Sequence, residues 1–124
     1  MHGSRTLPKS ERLQRGYQFR SVYERGRKFR GRMVVLYVAE GDELSPGPGG
    51  RSVGVVTSRK VGSAVVRSRA RRLLREAYRL NKQKLKTNLQ IVLVARSAIR
   101  GSGFRELEAE LLQLFEAAGI LNPT

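Results

Sequence analysis

Between Val61 and Leu80 the chain reads VGSAVVRSRARRLLREAYRL, and no other stretch limits its fold as tightly. At about 100° per residue, Val66, Ala70, Leu73, Leu74, Ala77 and Leu80 fall on one face of a helix, which must therefore lie on a core. Arg67, Arg71, Arg75 and Arg79 recur every fourth residue along another face, with Arg72 beside them and Arg69 nearer the apolar boundary. The spacing predicts a helix from Ala64 to about Leu80, with Ser63 as its N-cap. Like charges at i, i+4 repel by a few tenths of a kcal/mol per pair, and only Glu76 offers local relief. A face meant only for solvent would interleave acids; a row of arginines suits a track of phosphates. Arg67 and Arg79 would stand about 18 Å apart along the axis, enough to follow several consecutive phosphates. Such contacts give position and salt dependence rather than base identity, and they do not distinguish RNA from DNA.

The rest of the chain carries the same bias. Lys and Arg number 25 against 10 Asp and Glu, a formal charge of +15, and 19 of the 25 are Arg. Guanidinium grips phosphate oxygens through a planar fork and stacks on bases, which an ammonium does not. The charge is also grouped. Residues 1–32 hold ten basic and two acidic side chains, residues 59–86 hold eleven and one, and residues 101–124 hold one and four. The expected protein has a basic face, a milder back and a polyanionic partner. A polybasic membrane-surface protein is the competing class, but no basic segment comes with a large exposed apolar face. No run approaches the roughly 20 apolar residues of a membrane span. Met1 to Arg15 lacks the apolar stretch of a secretory signal, so a cytoplasmic protein with no membrane partner is expected.

A length of 124 residues argues for one domain, 1–124, with an aliphatic core, since aromatics are 6 % and Trp is absent. Cys is absent, which rules out a disulfide framework and a thiolate metal site. Residues 1–11 are expected to be flexible. So is a loop over 40–51, where Pro46, Pro48 and three glycines fall close together. Tyr17 to Glu24 reads as a helix through Phe19, Val22 and Tyr23, and three apolar strands follow at Arg32–Ala39, Ser52–Ser58 and Leu89–Ala95. A final helix from about Phe104 to Ala118 has the stripe Phe104, Leu107, Leu111, Leu114, Phe115 and Ala118, with Gly119 placed to end it. The α-β-β-α-β-α order predicts an α/β protein, an α+β two-layer sandwich with helices on one face of a small sheet.

Chemistry of its own is hard to find in this chain. The sole His is His2 and the sole Asp is Asp42, in the Gly/Pro loop. Glu106, Glu110 and Glu108 cluster on the last helix at a spacing that reads as a solvated face rather than a metal site. Phosphate-binding GxxxxGK[ST] and GxGxxG loops are absent. No catalytic or metal-ligating residue is expected, and no small-molecule substrate.

The run VGVVTSRKVGSAVVRSRARRLLREAYR, Val53 to Arg79, resembles the signature of the bacterial ribonuclease P protein. There a strand ends near Ser-Lys-Lys and leads through Gly-Asn-Ala-Val into a helix bearing Arg-Asn-Arg. The likeness extends over RLQRGYQFRSVYERGRKFRGRMVVLYV (Arg12 to Val38) and, downstream, over IVLVAR and ELEAELLQLF, covering about 100 of the 124 positions. Two positions depart from the pattern: Ser63 and Ser68 stand where the family has Asn. Ser63 can still cap a helix, whereas Ser68 lacks the amide of the usual side chain.

The resemblance implies a role rather than a protein active site. It implies a ribosomal protein S5 domain 2-like fold with a left-handed βαβ crossover. It implies a subunit that assists a catalytic RNA, with Mg²⁺ in the RNA-containing holoenzyme and none bound by the protein alone, in removing the 5′ leader of precursor tRNA. Carried over by position, Phe19, Tyr23, Val35 and Tyr37 would line a leader cleft between the Arg helix and the sheet, with Arg67, Ser68, Arg71 and Arg75 opposite. Arg69 and Arg72, with Arg59 and Lys60 at the strand end, would face the catalytic RNA. From the residues alone, Phe19, Tyr23 and Tyr37 read equally as ordinary core or as stacking faces for bases. Arg79 belongs to the same basic row. A ribosomal or rRNA-associated basic protein is the alternative reading of the charge and element order.

Overall fold

Apolar side chains along the strands sort into two layers in the computed structural model, which describes residues 7–41 and 50–123. The strands are β1 (Arg27–Arg30), β2 (Val34–Glu40), β3 (Arg51–Val56) and β4 (Leu89–Ala95), in the sheet order β1-β2-β4-β3. β2 is antiparallel to β1 and β4, whereas β3 is parallel to β4, with Val53 opposite Ile91. Helix α2 (Ala64–Asn81) makes the connection that a parallel pair requires. Helices α1 (Gly16–Arg25) and α3 (Phe104–Ala117) complete the fold.

Val34, Leu36, Val38, Val53, Leu89, Ile91 and Leu93 point to one side and meet α2 and α3. The alternate residues Tyr37, Val56, Val92 and Val94 point to the other, where Leu13, Phe19 and Val22 cover them. Helices therefore lie on both faces, not on one as expected. The continuous run Met33-Val34-Val35-Leu36-Tyr37-Val38 is apolar on both sides of the pleat, and burying it requires cover on both. Gly54 makes the second layer possible: a Cβ there would come 2.3 Å from Phe19 Cε2, so only hydrogen leaves room for the ring on β3.

Three further differences from expectation have local causes. β1, RKFR, is an additional strand with a single apolar side chain, Phe29, and it forms because β2 supplies its backbone partners. On α2, Tyr78 is fully buried and Leu80 is 50 % exposed, so the core stripe runs Ala70, Leu74, Ala77 and Tyr78. Of residues 7–11, grouped with 1–6 in the expectation, Pro8, Lys9 and Ser10 are exposed while the two ends make contacts. Leu7 is 4 % exposed, Lys9–Glu11 form a 3-10 turn, and Glu11 accepts from Lys82 Nζ at 2.5 Å. Arg12 bridges to Val53 and Leu13 N–H donates to the Val53 carbonyl at 2.9 Å, which extends the sheet beyond β3. Residues 1–6 lie outside the described residues. Of the loop expected over 40–51, Glu40 and Arg51 end strands and 42–49 lie outside the described residues.

Candidate nucleic-acid interface

Helix α2 begins as its sequence predicts: Ser63 Oγ accepts from Val66 N–H at 3.3 Å. The arginine row then lies along the β3 edge. Arg67 Nη1 donates to the Gly62 carbonyl at 2.9 Å. Arg71 reaches Thr57 Oγ1 at 2.8 Å, just past the end of β3, and Ser68 Oγ at 3.3 Å. Arg79 forks onto both carboxylate oxygens of Glu76, at 3.0 and 2.7 Å, so its charge is largely answered within the helix.

Arg75 is different. Among the described residues no acid pairs with it, and it stands in the field of Arg12 and Arg71. Burial, reinforced by Arg12 and then Arg71, pulls its pKa below the usual guanidinium value. A guanidinium stays charged at neutral pH regardless, so Arg12, Arg71 and Arg75 form a knot of like charge that an anion would relieve. Arg72 is exposed. Arg69 turns away toward α3, donating to the Ser102 carbonyl at 3.1 Å. Arg59 and Lys60 are exposed in the 3-10 turn Arg59–Val61 that follows β3.

Phe19, Tyr23 and Tyr37 gather on the other sheet face. Tyr23 meets the Tyr37 ring edge-on at 4.7 Å and 78°, and Lys28 Nζ lies 5.7 Å from the same ring centre. Tyr23 is 39 % exposed and Tyr37 is partly exposed, whereas Val35 is buried and Phe19 is packed against Gly54. Burial, and then the neighbouring Tyr37, raises the Tyr23 phenol above its usual pKa. Phe19 and Tyr37 are both partly buried, and Tyr23 keeps the most ring surface exposed of the three.

The sheet face beneath α2 is packed with core residues, while Phe19 and Tyr37 lie with the opposite layer. Tyr23, Val35 and Tyr37 mark a surface walled by α1. The arginine row adjoins it only across the β3 edge, where Thr57 and Arg12 lie. Three contributors escaped the sequence reading. Lys28 sits on the strand that shows no apolar alternation, Arg12 resembles a residue of a basic tail, and Thr57 is an ordinary strand-end residue.

The acids of α3 stay at least partly exposed yet take hydrogen bonds. Glu106 Oε1 accepts from Gly103 N–H at 3.0 Å, and Glu108 Oε2 accepts from Asn81 Nδ2 at 2.8 Å. Glu110 Oε2 accepts from Met33 and Val34 N–H at 2.8 and 3.0 Å. Among the described residues no three His, Cys, Asp or Glu side chains come together in a way that would hold a metal ion.

The family model described as Ribonuclease P matches residues 7–119. The ribonuclease P protein component of Clostridium acetobutylicum is 38 % identical over 113 residues, covering 91 % of this chain and 92 % of that protein. Its counterpart from Clostridium perfringens is 40 % identical over 110 residues, covering 87 % and 88 %. Among solved structures, the RNase P protein of Staphylococcus aureus superposes with a TM-score of 0.79 at 23 % identity, over 92 % of this chain and all of that one. The RNase P protein of Thermotoga maritima gives 0.73 at 23 % identity, over 86 % and 96 %. At that identity the two structures speak for the fold alone.

Proposed function

Because the chain belongs to the ribonuclease P protein family, we propose that it assists a catalytic RNA by holding the unpaired 5′ leader of precursor tRNA on its aromatic face and the RNA on its arginine helix. The protein is a subunit of the ribonucleoprotein that matures tRNA 5′ ends, and the RNA subunit carries out the cleavage. The ribosomal alternative has no support from the relatives. A cytoplasmic setting is part of the proposal; among the described residues no helix is long and apolar enough to cross a membrane.

The observation that carries the reading is the pairing of two chemistries across the β3 edge. Tyr23, Tyr37 and Lys28 offer ring faces and a cation to unpaired bases. Among the described residues no acid pairs with Arg12, Arg71 or Arg75, and this group suits the phosphates that link those bases. Arg67 and Ser68 border it, Arg79 is spent mainly on Glu76, and Arg59, Lys60, Arg69 and Arg72 are assigned to the catalytic RNA. The protein's own work is binding and orientation. In this reading the metal of the holoenzyme is assigned to the RNA.

The test is cleavage of 5′-labelled precursor tRNA at low Mg²⁺ by protein alone, RNA alone, and both together. Cleavage that needs the RNA and is raised by the protein is expected. A folded protein that neither binds the RNA nor raises cleavage would overturn the reading.

A further inference from the structure

The segment ahead of α1 is a strap anchored in both layers of the protein. Leu7 is buried with the core beneath α2 and α3, and Leu13 is buried in the layer that holds Val22. Between these anchors the chain crosses the outer side of β3. There Arg12 bridges in parallel to Val53, and Leu13 N–H donates to the Val53 carbonyl at 2.9 Å. A ladder this short opens readily by itself, so the strap depends on its side chains to stay closed.

Two polar contacts supply that hold. Glu11 Oε1 accepts from Lys82 Nζ at 2.5 Å, which joins the strap to the 3-10 turn Lys82–Lys84 that follows α2. Each of the two side chains keeps only 17 % exposure, so salt screens the pair far less than one in open solvent. Arg12 Nε donates to the Leu7 carbonyl at 3.1 Å and ties the next residue back onto the strap. Lys82 belongs to the basic block 59–86 and would be counted toward the polyanion by charge alone, yet its ammonium is taken by Glu11. The backbone at Arg12 is extended, so with Leu13 turned to one layer Arg12 turns to the other, toward α2. There it acts on Arg75.

We propose that Glu11 and Lys82 are positioning residues for the leader: their ion pair pins the strap to the end of α2 and so holds Arg12 beside Arg71 and Arg75 as a third phosphate contact. The proposal rests on the leader surface described above. Neither Glu11 nor Lys82 touches the leader in this arrangement. The acid thus aids the binding of a polyanion, against the sign of its own charge.

The experiment is equilibrium binding of leader-bearing and leaderless precursor to the assembled enzyme across a salt series. It compares wild type with Glu11→Ala, Arg12→Gln and the double variant, each shown by melting to be folded at the assay temperature. Glu11→Ala removes a negative charge from a chain of formal charge +15, so the bulk field alone would tighten binding. The latch requires the reverse. Arg12→Gln is expected to weaken leader-bearing precursor on the order of tenfold and to lower the log–log salt slope by about 1. Glu11→Ala is expected to lose part of the same affinity, roughly threefold, and nothing further in the Arg12→Gln background. Leaderless precursor keeps its wild-type affinity in Glu11→Ala. Hydrogen exchange of the full chain gives a second reading: the Leu13 amide loses protection in Glu11→Ala and in Lys82→Met alike. Leader binding by Glu11→Ala that is unchanged or tighter would overturn the proposal, and so would wild-type protection of Leu13. An equal loss for both precursors, or a loss that adds in full to that of Arg12→Gln, would make the pair a prop of the fold and overturn it too. Failure of the leader reading looks different: the wild-type enzyme itself would bind the two precursors equally.

Discussion

Lys28 holds its ammonium 5.7 Å from the centre of the Tyr37 ring, directly across the β1–β2 ladder in which the two residues are partners. The contact leaves part of the ring open while setting a positive charge beside it, an arrangement suited to a base followed by its phosphate. Replacing Tyr37 by Leu keeps most of the core volume and removes the stacking face. Leader-bearing precursor is expected to lose about 1–3 kcal/mol of binding to the assembled enzyme, while leaderless precursor loses little. Equilibrium binding of both substrates checks this, and an equal loss for the two would take Tyr37 off the leader path.

Arg75 is held among like charges, so its two roles should separate. Arg75→Gln is expected to raise stability at low salt by roughly 0.5 kcal/mol, through relief of repulsion from Arg12 and Arg71. The same change should lower the salt slope of RNA binding by about 1. Urea titrations at two ionic strengths measure the first effect and binding isotherms the second. A loss of stability instead would mean that packing of the arginine stem outweighs its charge.

Glu110 binds two backbone N–H groups at the start of β2, and Gly31 lies so close that a Cβ would come 2.3 Å from the carboxylate. Glu110→Ala strands both donors and is expected to cost about 2–4 kcal/mol in denaturant unfolding. Glu110→Gln keeps an acceptor oxygen and should lose less. Neither change should alter the Mg²⁺ dependence of cleavage by the fraction that remains folded, and a shift there would reopen a metal role for α3.

Tyr78 is fully buried, and its hydroxyl has no hydrogen-bond partner among the described residues. Burial raises its pKa above the model-peptide value of 10.0. The unfolded chain therefore releases this proton first as pH rises. The stability linked to Tyr78 is full below about pH 10 and declines above it, toward the folded-state pKa. Tyr78→Phe is expected to be neutral or stabilising by about 1 kcal/mol at pH 7, and to flatten that alkaline decline. Denaturation midpoints across pH 8–11 test both statements.

The period of α2 was legible because burial selects it directly: Ala70, Leu74 and Ala77 are all below 3 % exposure. Its lower end was not, since Tyr78 and Leu80 both lie near the apolar boundary and only packing against α3 and β3 decides between them. β1 was illegible for another reason. A strand of three cations and Phe29 has no apolar alternation, and what makes it a strand is the backbone of β2. The role of Glu110 depends on donors 76 and 77 residues away, which no local pattern can register. The arginine row could be read for its chemistry but not for its neighbours. That the charge of Arg12 would act on Arg75 follows only once the segment before α1 has paired with β3.

That pairing also governs how copies of the molecule behave toward one another. A sheet normally ends in two rows of unused hydrogen-bonding groups, each able to recruit a strand from a second chain. Here Arg12 and Leu13 pair with the β3 side at Val53, and the opposite rim is four residues long and carries Arg27, Lys28 and Arg30. Two such rims repel each other before they can zip. The charge that suits the protein to nucleic acid thus also opposes edge-to-edge pairing of β1 between copies.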